Sequence, residues 1–314
     1  MSKIAFIYPG QGAQKAGMGA DFYENSEIAR YIFDQAGEEL DLDMKELCFE
    51  ENDRLDLTEY TQAAMVTTCL AMTRVAESKG LKADITAGLS LGEYPAIAAA
   101  GGMNDMDAIR LVRKRGILMQ NTVPAGEGAM CAVISMAAEE IEKVIEPIAD
   151  VSVANYNCPG QIVITGKTDA VEEAAAKLKE AGARRTIMLN VSGPFHSQML
   201  VPAGEKLAEE LEHTRFHELR IPYVTNVTAE KVTDIRETPG LLTTQISSPV
   251  RWMQSMERMI ADVDTFVEIG PGKTLEGFLR KIDRSVKVFH ISQWEDVDKV
   301  CTELADSGKM MEEA

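Results

Sequence analysis

The sequence predicts an α/β protein in which a small domain is inserted into a larger one. Over residues 1–127 and 194–314, short apolar segments typical of buried strands alternate with helical patterns, which favours a mainly parallel sheet covered by helices. Over residues 128–193 the predicted order changes to β-α-β-β-α-β. The large domain is therefore expected to be discontinuous along the chain, and the small domain to be continuous.

The elements of the large domain are predicted from apolar segments and from the glycines and prolines that end them. Residues 3–8 form an apolar strand that ends at a turn over residues 9–12. Gly80 follows an Ala-, Met- and Leu-rich segment and is expected to lie just after a buried helix. The further elements predicted for this domain are helices over residues 61–79, 96–100 and 107–121 and strands over residues 85–88, 221–227 and 265–269.

The small domain is predicted to be ferredoxin-like, because its element order is that of the split βαβ motif. Its strands are predicted over residues 130–135, 151–155, 161–165 and 185–191, and its helices over residues 138–147 and 169–181. A turn over residues 157–160 separates the second and third strands. The acidic tail after Ser307 is predicted to be disordered.

The composition is that of an ordinary globular protein with an acidic surface. Apolar residues make up 45% and charged residues 26% of the 314 residues. The net charge of −18 argues against binding to nucleic acid, whose phosphates would be repelled. No apolar run is long enough for a membrane span, and the five scattered cysteines include no C-x-x-C pair. We therefore expect a cytoplasmic protein without disulfides or a metal site.

The main chemical signal is the segment Gly88-Leu89-Ser90-Leu91-Gly92, which matches the G-x-S-x-G nucleophile elbow. In an elbow the serine lies on a tight strand-to-helix turn, and the glycines let neighbouring backbone pass without a Cβ clash. The apolar segment before the motif and the small-residue helix after it fit this context, so the large domain is expected to be α/β-hydrolase-like. Ser90 is a candidate nucleophile; the alternative is a glycine-rich turn in which a serine caps a helix.

A serine nucleophile needs a base, and the chain contains four histidines. His213 and His217 lie four residues apart in a charged segment, which predicts a solvated helix face; no third metal ligand is evident nearby. His290 ends an apolar run. His196 lies on a turn where the chain re-enters the large domain, and functional groups often collect on such loops. His196 is therefore the candidate base.

Seven segments together resemble one enzyme family. In chain order they are PGQGAQ (9–14), GLSLGEY (88–94), RKRG (113–116), NYNCPGQ (155–161), GPFHS (193–197), QISSPVRW (245–252) and EIGPG (268–272). Their order and spacing are similar to those of the malonyl-CoA–acyl carrier protein transacylases and of the acyltransferase domains of polyketide and fatty-acid synthases. The resemblance extends from residue 4 to about residue 290.

The resemblance implies transfer of a malonyl group from malonyl-CoA to the phosphopantetheine thiol of acyl carrier protein, by a ping-pong mechanism that supplies fatty-acid biosynthesis. Ser90 would attack the thioester and form a malonyl ester, and His196 would act as the base. The backbone N–H groups of Gln11 and Leu91 would bind the oxyanion, and the main-chain carbonyl near Gln245 would orient the histidine. No cofactor is implied, because coenzyme A is part of the substrate.

Arg115 would distinguish a malonyltransferase from a plain esterase, because a guanidinium binds a free carboxylate with two parallel hydrogen bonds. From spacing alone, the alternative is an exposed arginine on a basic helix face. Phe195 resembles the malonyl-selective form of the family motif. The resemblance places Asn155 and Asn157 near the cleft between the domains, with structural turn residues as the alternative. Leu89 departs from the family, which usually has histidine at this position.

Malonyl-CoA and acyl carrier protein are the implied partners, and the resemblance makes a monomer the expected state. Because the carrier protein is acidic in this family, docking would need a local cationic surface. The candidate docking cluster, for which the alternative is a solvated helix face, consists of Arg280, Lys281, Arg284 and Lys287.

Three other functions fit parts of the sequence. A thioesterase or esterase would use Ser90 and His196 with water as the acceptor, but Arg115 and the inserted domain weigh against it. A patatin-like lipase would need an aspartate partner, usually in an Asp-Gly dipeptide, which the sequence lacks. A non-catalytic subunit of a synthase is disfavoured because the candidate nucleophile, base and arginine are all present.

Overall fold

The computed structural model describes residues 3–306. Within this range the strands are β1 (Ile4–Tyr8), β2 (Ile85–Gly88), β3 (Gly128–Ile134), β4 (Val151–Cys158), β5 (Gln161–Lys167), β6 (Arg185–Met188), β7 (Tyr223–Val224), β8 (Lys231–Val232), β9 (Thr265–Ile269) and β10 (Lys287–Ile291). The helices are α1 (Ala20–Asn25), α2 (Glu27–Leu40), α3 (Met44–Phe49), α4 (Thr58–Ser78), α5 (Glu93–Ala99), α6 (Asp105–Asn121), α7 (Ala138–Ile145), α8 (Thr168–Glu180), α9 (Val201–Glu212), α10 (Thr238–Gln245), α11 (Trp252–Ile260), α12 (Thr274–Ile282) and α13 (Trp294–Asp306). The tail expected to be disordered lies outside the described residues.

The larger sheet has six strands in the order β10-β9-β1-β2-β7-β8, and it is parallel except for β8, which is antiparallel to β7. Side chains of β1 alternate between its two faces. Phe6 and Tyr8 belong to the core cluster that includes α2, α4 and α6, whereas Ala5 and Ile7 belong to the cluster that includes α11 and α12. Helices therefore cover both faces of the sheet, as a parallel sheet requires.

The smaller sheet has four antiparallel strands in the order β4-β5-β3-β6. Val133 and Ile164 on one face pack with α7 and α8. Met130 and Val163 on the opposite face belong to the core cluster of the larger sheet. One face of the small sheet is thus turned towards the rest of the protein, and the space between them is where a binding cleft can form.

A short backbone connection joins the edge of the small sheet to the segment that follows α10. The N–H of Tyr156 donates to the carbonyl of Val250 (2.9 Å), and the N–H of Val250 donates to the carbonyl of Ala154 (2.8 Å). The position of β4 is therefore coupled to that of the residues just after Gln245.

The structure confirms the α/β class, the mainly parallel sheet and the second, small antiparallel sheet, but several predicted boundaries are wrong. The strand expected over residues 221–227 is reduced to β7, because the backbone N–H of Asn226 turns to a buried carboxylate instead of a neighbouring strand. The strand expected over residues 185–191 ends at Met188. β4 continues to Cys158, which confines the following turn to two residues.

The expected helix face around His213 and His217 is also wrong. Helix α9 ends at Glu212, and the backbone N–H of His217 donates to the carbonyl of Gly102 (2.8 Å), which holds this segment against the core without a helix. Over residues 3–306 there is no helix with the length and apolar character that a membrane span needs. The same residues contain no cluster of three or more His, Cys, Asp or Glu side chains arranged to hold a metal ion.

Candidate active site

Ser90 lies on the tight turn between β2 and α5, with a left-handed backbone conformation (φ 51°). Two glycines make this turn sterically possible. A Cβ atom on Gly88 would lie 1.8 Å from the carbonyl oxygen of Gly92, and one on Gly92 would lie 2.2 Å from the carbonyl oxygen of Tyr8. A side chain at either position would therefore displace the serine turn or the central strand.

Asn226, in the loop after β7, supports the turn from the protein interior. Its Oδ1 accepts a hydrogen bond from the backbone N–H of Ser90 (2.6 Å), and its Nδ2 donates to the carbonyl of Gly88 (2.7 Å). The side chain is buried, so both bonds are shielded from water. They offset the cost of holding a non-glycine residue at positive φ.

His196 lies against Ser90, with 2.7 Å between its Nε2 and the serine Oγ. Its Nδ1 faces two main-chain carbonyls, those of Gln245 (2.9 Å) and Ser248 (3.1 Å). Carbonyl oxygens only accept, so Nδ1 carries the proton of the neutral ring and Nε2 is free to accept from the serine hydroxyl. Burial lowers the pKa of His196 to about 4, with a further contribution from the positive charge of Arg115. The ring is therefore neutral, and competent as a base, at neutral pH.

Arg115, on α6, extends its guanidinium into the same space and is 1% exposed. Its Nη1 donates to Oε1 of Gln62 (2.9 Å), and its Nη2 donates to Oε1 of Gln245 (3.0 Å) and to Oγ of Ser90 (3.2 Å). The guanidinium also lies over the ring of Tyr94. Burial lowers the pKa of Arg115, but an arginine remains charged at any physiological pH. The alternative of an exposed arginine is wrong.

These three residues line one cavity of about 420 Å³ between the two sheets. Asn155, Asn157 and Phe195 also line it. Asn157 and Phe195 are both 7% exposed, and Oδ1 of Asn157 has no partner among the described residues. The remaining lining residues are mostly apolar; they include Leu89, Met119, Met130, Val163, Leu189, Val191 and Phe278. A thioester with one carboxylate end fits a site of this chemistry.

Gln11 and Leu91 approach the serine from two neighbouring turns, which follow β1 and β2, and both line the cavity. The side chain of Gln11 is held by Oγ1 of Thr58, to which its Nε2 donates (3.0 Å). Among residues 3–306, neither backbone N–H donates to a protein acceptor. Two free N–H groups near a nucleophile are what an oxyanion requires.

The candidate docking cluster does not form one helix face, because α12 ends at Ile282. Arg280 lies in the last turn of that helix and is paired with Glu276, whereas Lys287 is the first residue of β10. Nζ of Lys281 donates to Oε1 of Gln161 (3.3 Å), a residue that lines the cavity. Of the cluster, Lys281 is thus placed at the rim of the cleft.

Sequence reasoning missed four residues of this site, namely Gln62, Glu93, Asn226 and Ser248. Gln62 is a polar residue in an otherwise Ala- and Met-rich helix that was predicted to be buried, and this contrast could have marked it as a candidate site residue. Glu93 directly follows the elbow, but nothing in the spacing assigns it a role. Asn226 lies 136 positions from Ser90 and contacts it only because β7 pairs with β2.

Comparison with known proteins agrees with this geometry. Residues 5–297 match the family model of the acyl transferase domain. The malonyl CoA-acyl carrier protein transacylase of Bacillus subtilis (strain 168) is 44% identical over 304 residues, which cover 95% of this chain and 96% of that protein.

Two solved structures are also similar. The malonyl CoA-acyl carrier protein transacylase of Clostridium perfringens Atcc 13124 superposes with a TM-score of 0.94 at 42% identity, covering 98% of both chains. A malonyl-transacylase solved with its type II PKS acyl-carrier protein has a TM-score of 0.93 at 35% identity, covering 96% of this chain and 100% of that one. The resemblance seen in the seven motifs is thereby confirmed, and the chain belongs to the acyl transferase domain family, within the group formed by the malonyl CoA-acyl carrier protein transacylases.

Proposed function

We propose that this protein transfers a malonyl group from malonyl-CoA to the phosphopantetheine thiol of acyl carrier protein, through an ester on Ser90. The observation that carries the proposal is the position of Arg115: its Nη2 is 3.2 Å from Oγ of Ser90 in the cavity between the two sheets. A malonyl group places its carboxylate two carbons from the reacting carbonyl. A buried guanidinium beside the nucleophile can therefore hold that carboxylate while the serine attacks.

In the first half-reaction the hydroxyl oxygen of Ser90 attacks the thioester carbonyl, and His196 Nε2 takes the hydroxyl proton. The negative charge that develops on the carbonyl oxygen is bound by the backbone N–H groups of Gln11 and Leu91. The C–S bond then breaks, the leaving sulfur takes the proton from His196, and free coenzyme A departs. No acidic third member is needed, because the carbonyl of Gln245 keeps the proton of the neutral ring on Nδ1.

In the second half-reaction the carrier thiol enters the same cavity and attacks the serine ester. His196 takes the thiol proton and returns it to the oxygen of Ser90 as the ester bond breaks. One site is thus used in turn by two thiols, which is a ping-pong mechanism. Asn155, Asn157 and Phe195 line the path that each thiol arm would follow. The reaction needs no cofactor.

The carrier partner is supported by the solved complex of a related malonyl-transacylase with a type II PKS acyl-carrier protein. We propose extender supply for fatty-acid biosynthesis as the role. We expect a monomer, as the resemblance to the family implies. We expect a cytoplasmic location, because the five cysteines are free thiols and four of them are buried.

We also propose finer fold assignments. Residues 1–127 and 194–314 form an α/β-hydrolase-like domain, an assignment supported by the serine turn after β2. Residues 128–193 form a ferredoxin-like domain. Its βαββαβ element order and the strand order β4-β5-β3-β6 support that assignment.

The test is to mix the protein with malonyl-CoA, without acceptor, and to record its intact mass within seconds. We expect one malonyl adduct on the wild type, none on Ser90→Ala, and little adduct from acetyl-CoA. Addition of carrier protein should then remove the adduct and yield malonyl-carrier protein. Steady release of coenzyme A without an adduct and without transfer would refute the proposal and favour a hydrolase that uses the same serine and histidine.

A further inference from the structure

Glu93 is a buried acid that takes no part in the proposed acyl-transfer steps. It is the first residue of α5, three positions after the nucleophile, and it is 0% exposed. Oε2 accepts hydrogen bonds from Nε2 of Gln245 (2.7 Å) and from the backbone N–H of Asn226 (3.1 Å). One carboxylate oxygen therefore connects the end of α10 with the loop after β7, and both contact the active site.

The side chain of Gln245 connects this carboxylate to the arginine. Its Nε2 donates to Glu93 and to the carbonyl of Ser90 (3.1 Å), and its Oε1 accepts from Nη2 of Arg115 (3.0 Å). The main-chain carbonyl of the same residue accepts from Nδ1 of His196 (2.9 Å). Arginine, histidine and nucleophile thus all contact one glutamine, which Glu93 fixes.

The orientation of that amide is determined by the charges on its two sides. A carboxylate only accepts and a guanidinium only donates, so the amide must present its NH₂ group to Glu93 and its oxygen to Arg115. In the flipped amide an NH₂ group would face the guanidinium, leaving Arg115 without one acceptor and displaced from its place beside Ser90. An uncharged side chain at position 93 would enforce this orientation less strongly.

We propose that Glu93 is a positioning residue for acyl transfer: by fixing the side-chain amide of Gln245, it holds Arg115 where the arginine selects acyl groups that end in a carboxylate. The inference rests on the proposed function and adds to it a residue that controls acyl selectivity without touching the substrate. Asn226 extends the effect to the serine turn, since it bonds both Glu93 and Ser90.

The ionisation of Glu93 gives this role a measurable signature. Burial raises the pKa of Glu93 to about 7, although hydrogen bonds and the charge of Arg115 oppose the shift. The other titratable groups that interact with it are Tyr94 and Tyr223, whose raised pKa values keep them neutral. As the pH falls through 7, Glu93 gains a proton and ceases to be a purely accepting group. The preference for malonyl over acetyl should therefore decrease between pH 8 and pH 6.

The experiment measures the ratio of single-turnover acylation rates with malonyl-CoA and acetyl-CoA from pH 8 to pH 6. The variants are Glu93→Gln, Gln245→Met and the double variant, each with its thermal midpoint recorded. Gln245→Met keeps the carboxylate and the main-chain carbonyl but removes the amide link, so it tests the proposal independently if Glu93→Gln folds poorly. The matched control is Glu268→Gln. Burial also raises the pKa of Glu268 to about 7, but its hydrogen-bond donors among residues 3–306 are backbone N–H groups of α12.

We expect the ratio at pH 8 to fall roughly tenfold to a hundredfold in either single variant, as for loss of one charge-assisted hydrogen bond. The double variant should be no worse than the single ones, because both act through one link. The pH dependence should vanish in all three and persist in the Glu268→Gln control. The inference alone would be overturned if both single variants kept the wild-type malonyl-to-acetyl ratio and its pH dependence while the wild type still formed its malonyl adduct. Absence of a malonyl adduct on the wild type would instead overturn the proposed function.

Discussion

Replacement of Arg115 by alanine should change which acyl group the protein accepts. The guanidinium is 1% exposed and lies 3.2 Å from the nucleophile oxygen, so the carboxylate it holds would be shielded from water. Each hydrogen bond between charged groups contributes about 1.5–3 kcal/mol, and a bidentate pair therefore about 3–6 kcal/mol. At about 1.4 kcal/mol per factor of ten, malonyl transfer to Ser90 should slow by about 10² to 10⁴.

The same replacement should slow acetyl transfer far less than malonyl transfer. When the acyl group has no carboxylate, the arginine of the wild type still has protein acceptors in Gln62 and Gln245. Replacing the arginine by alanine therefore removes no large penalty on acetyl-CoA binding. The replacement also leaves the side-chain amide oxygens of Gln62 and Gln245 without their donor. The expected result is a fall of 10² or more in the malonyl-to-acetyl ratio, by roughly the factor estimated from the lost bonds.

The assay is rapid mixing with either thioester, quenching in acid, and intact-mass detection of the adduct on Ser90. Arg115→Lys should fall between wild type and alanine, because lysine keeps the charge but not the paired donors. Arg113→Ala is the matched control: this arginine, two residues earlier on α6, is paired with Glu59 and does not line the cavity. If Arg115→Ala kept its malonyl rate within threefold, or if Arg113→Ala lost as much, the carboxylate clamp would be refuted.

Three further predictions address the turn, the base and the docking surface. Gly92→Ala should destabilise the fold by about 1–3 kcal/mol or more and abolish the adduct, because its Cβ would lie 2.2 Å from a backbone carbonyl. In thermal melts the control Gly277→Ala should be neutral or slightly stabilising, because beyond the adjacent backbone of its own helix no atom lies within 4 Å of the added Cβ. The imidazole of His196 should titrate near pH 4 by NMR, and a midpoint above pH 6 would contradict its burial as the cause. Lys281→Glu should slow transfer to carrier protein but not adduct formation from malonyl-CoA. The control is Lys179→Glu, on the helix that covers the opposite face of the small sheet, and it should change neither rate. Equal rates of transfer to carrier protein in the two variants would show that Lys281 is not part of the docking surface.

Features that depend on local sterics could be predicted from the sequence. The turn around Ser90 needs glycine at positions 88 and 92, because neighbouring backbone occupies the space of a Cβ, and this requirement is written directly into the motif. The strands of both sheets were predicted from short apolar segments that alternate with helical patterns, because the spacing of apolar side chains in a strand or a helix is a local property. Errors occurred at strand ends, such as residues 221–227, where a hydrogen bond to a distant carboxylate replaces the sheet pairing.

Features that depend on distant parts of the chain were decided only by the tertiary structure. Glu93 and Asn226 were not predicted, because hydrogen bonds across 133 positions follow from the pairing of β7 with β2 rather than from any spacing. The depressed pKa of His196 requires burial, which no single segment produces. The sequence by itself determined the nucleophile turn and the types of reacting group. Tertiary packing determined their separations, their solvent exposure and hence their protonation, because these quantities depend on which segments meet in space.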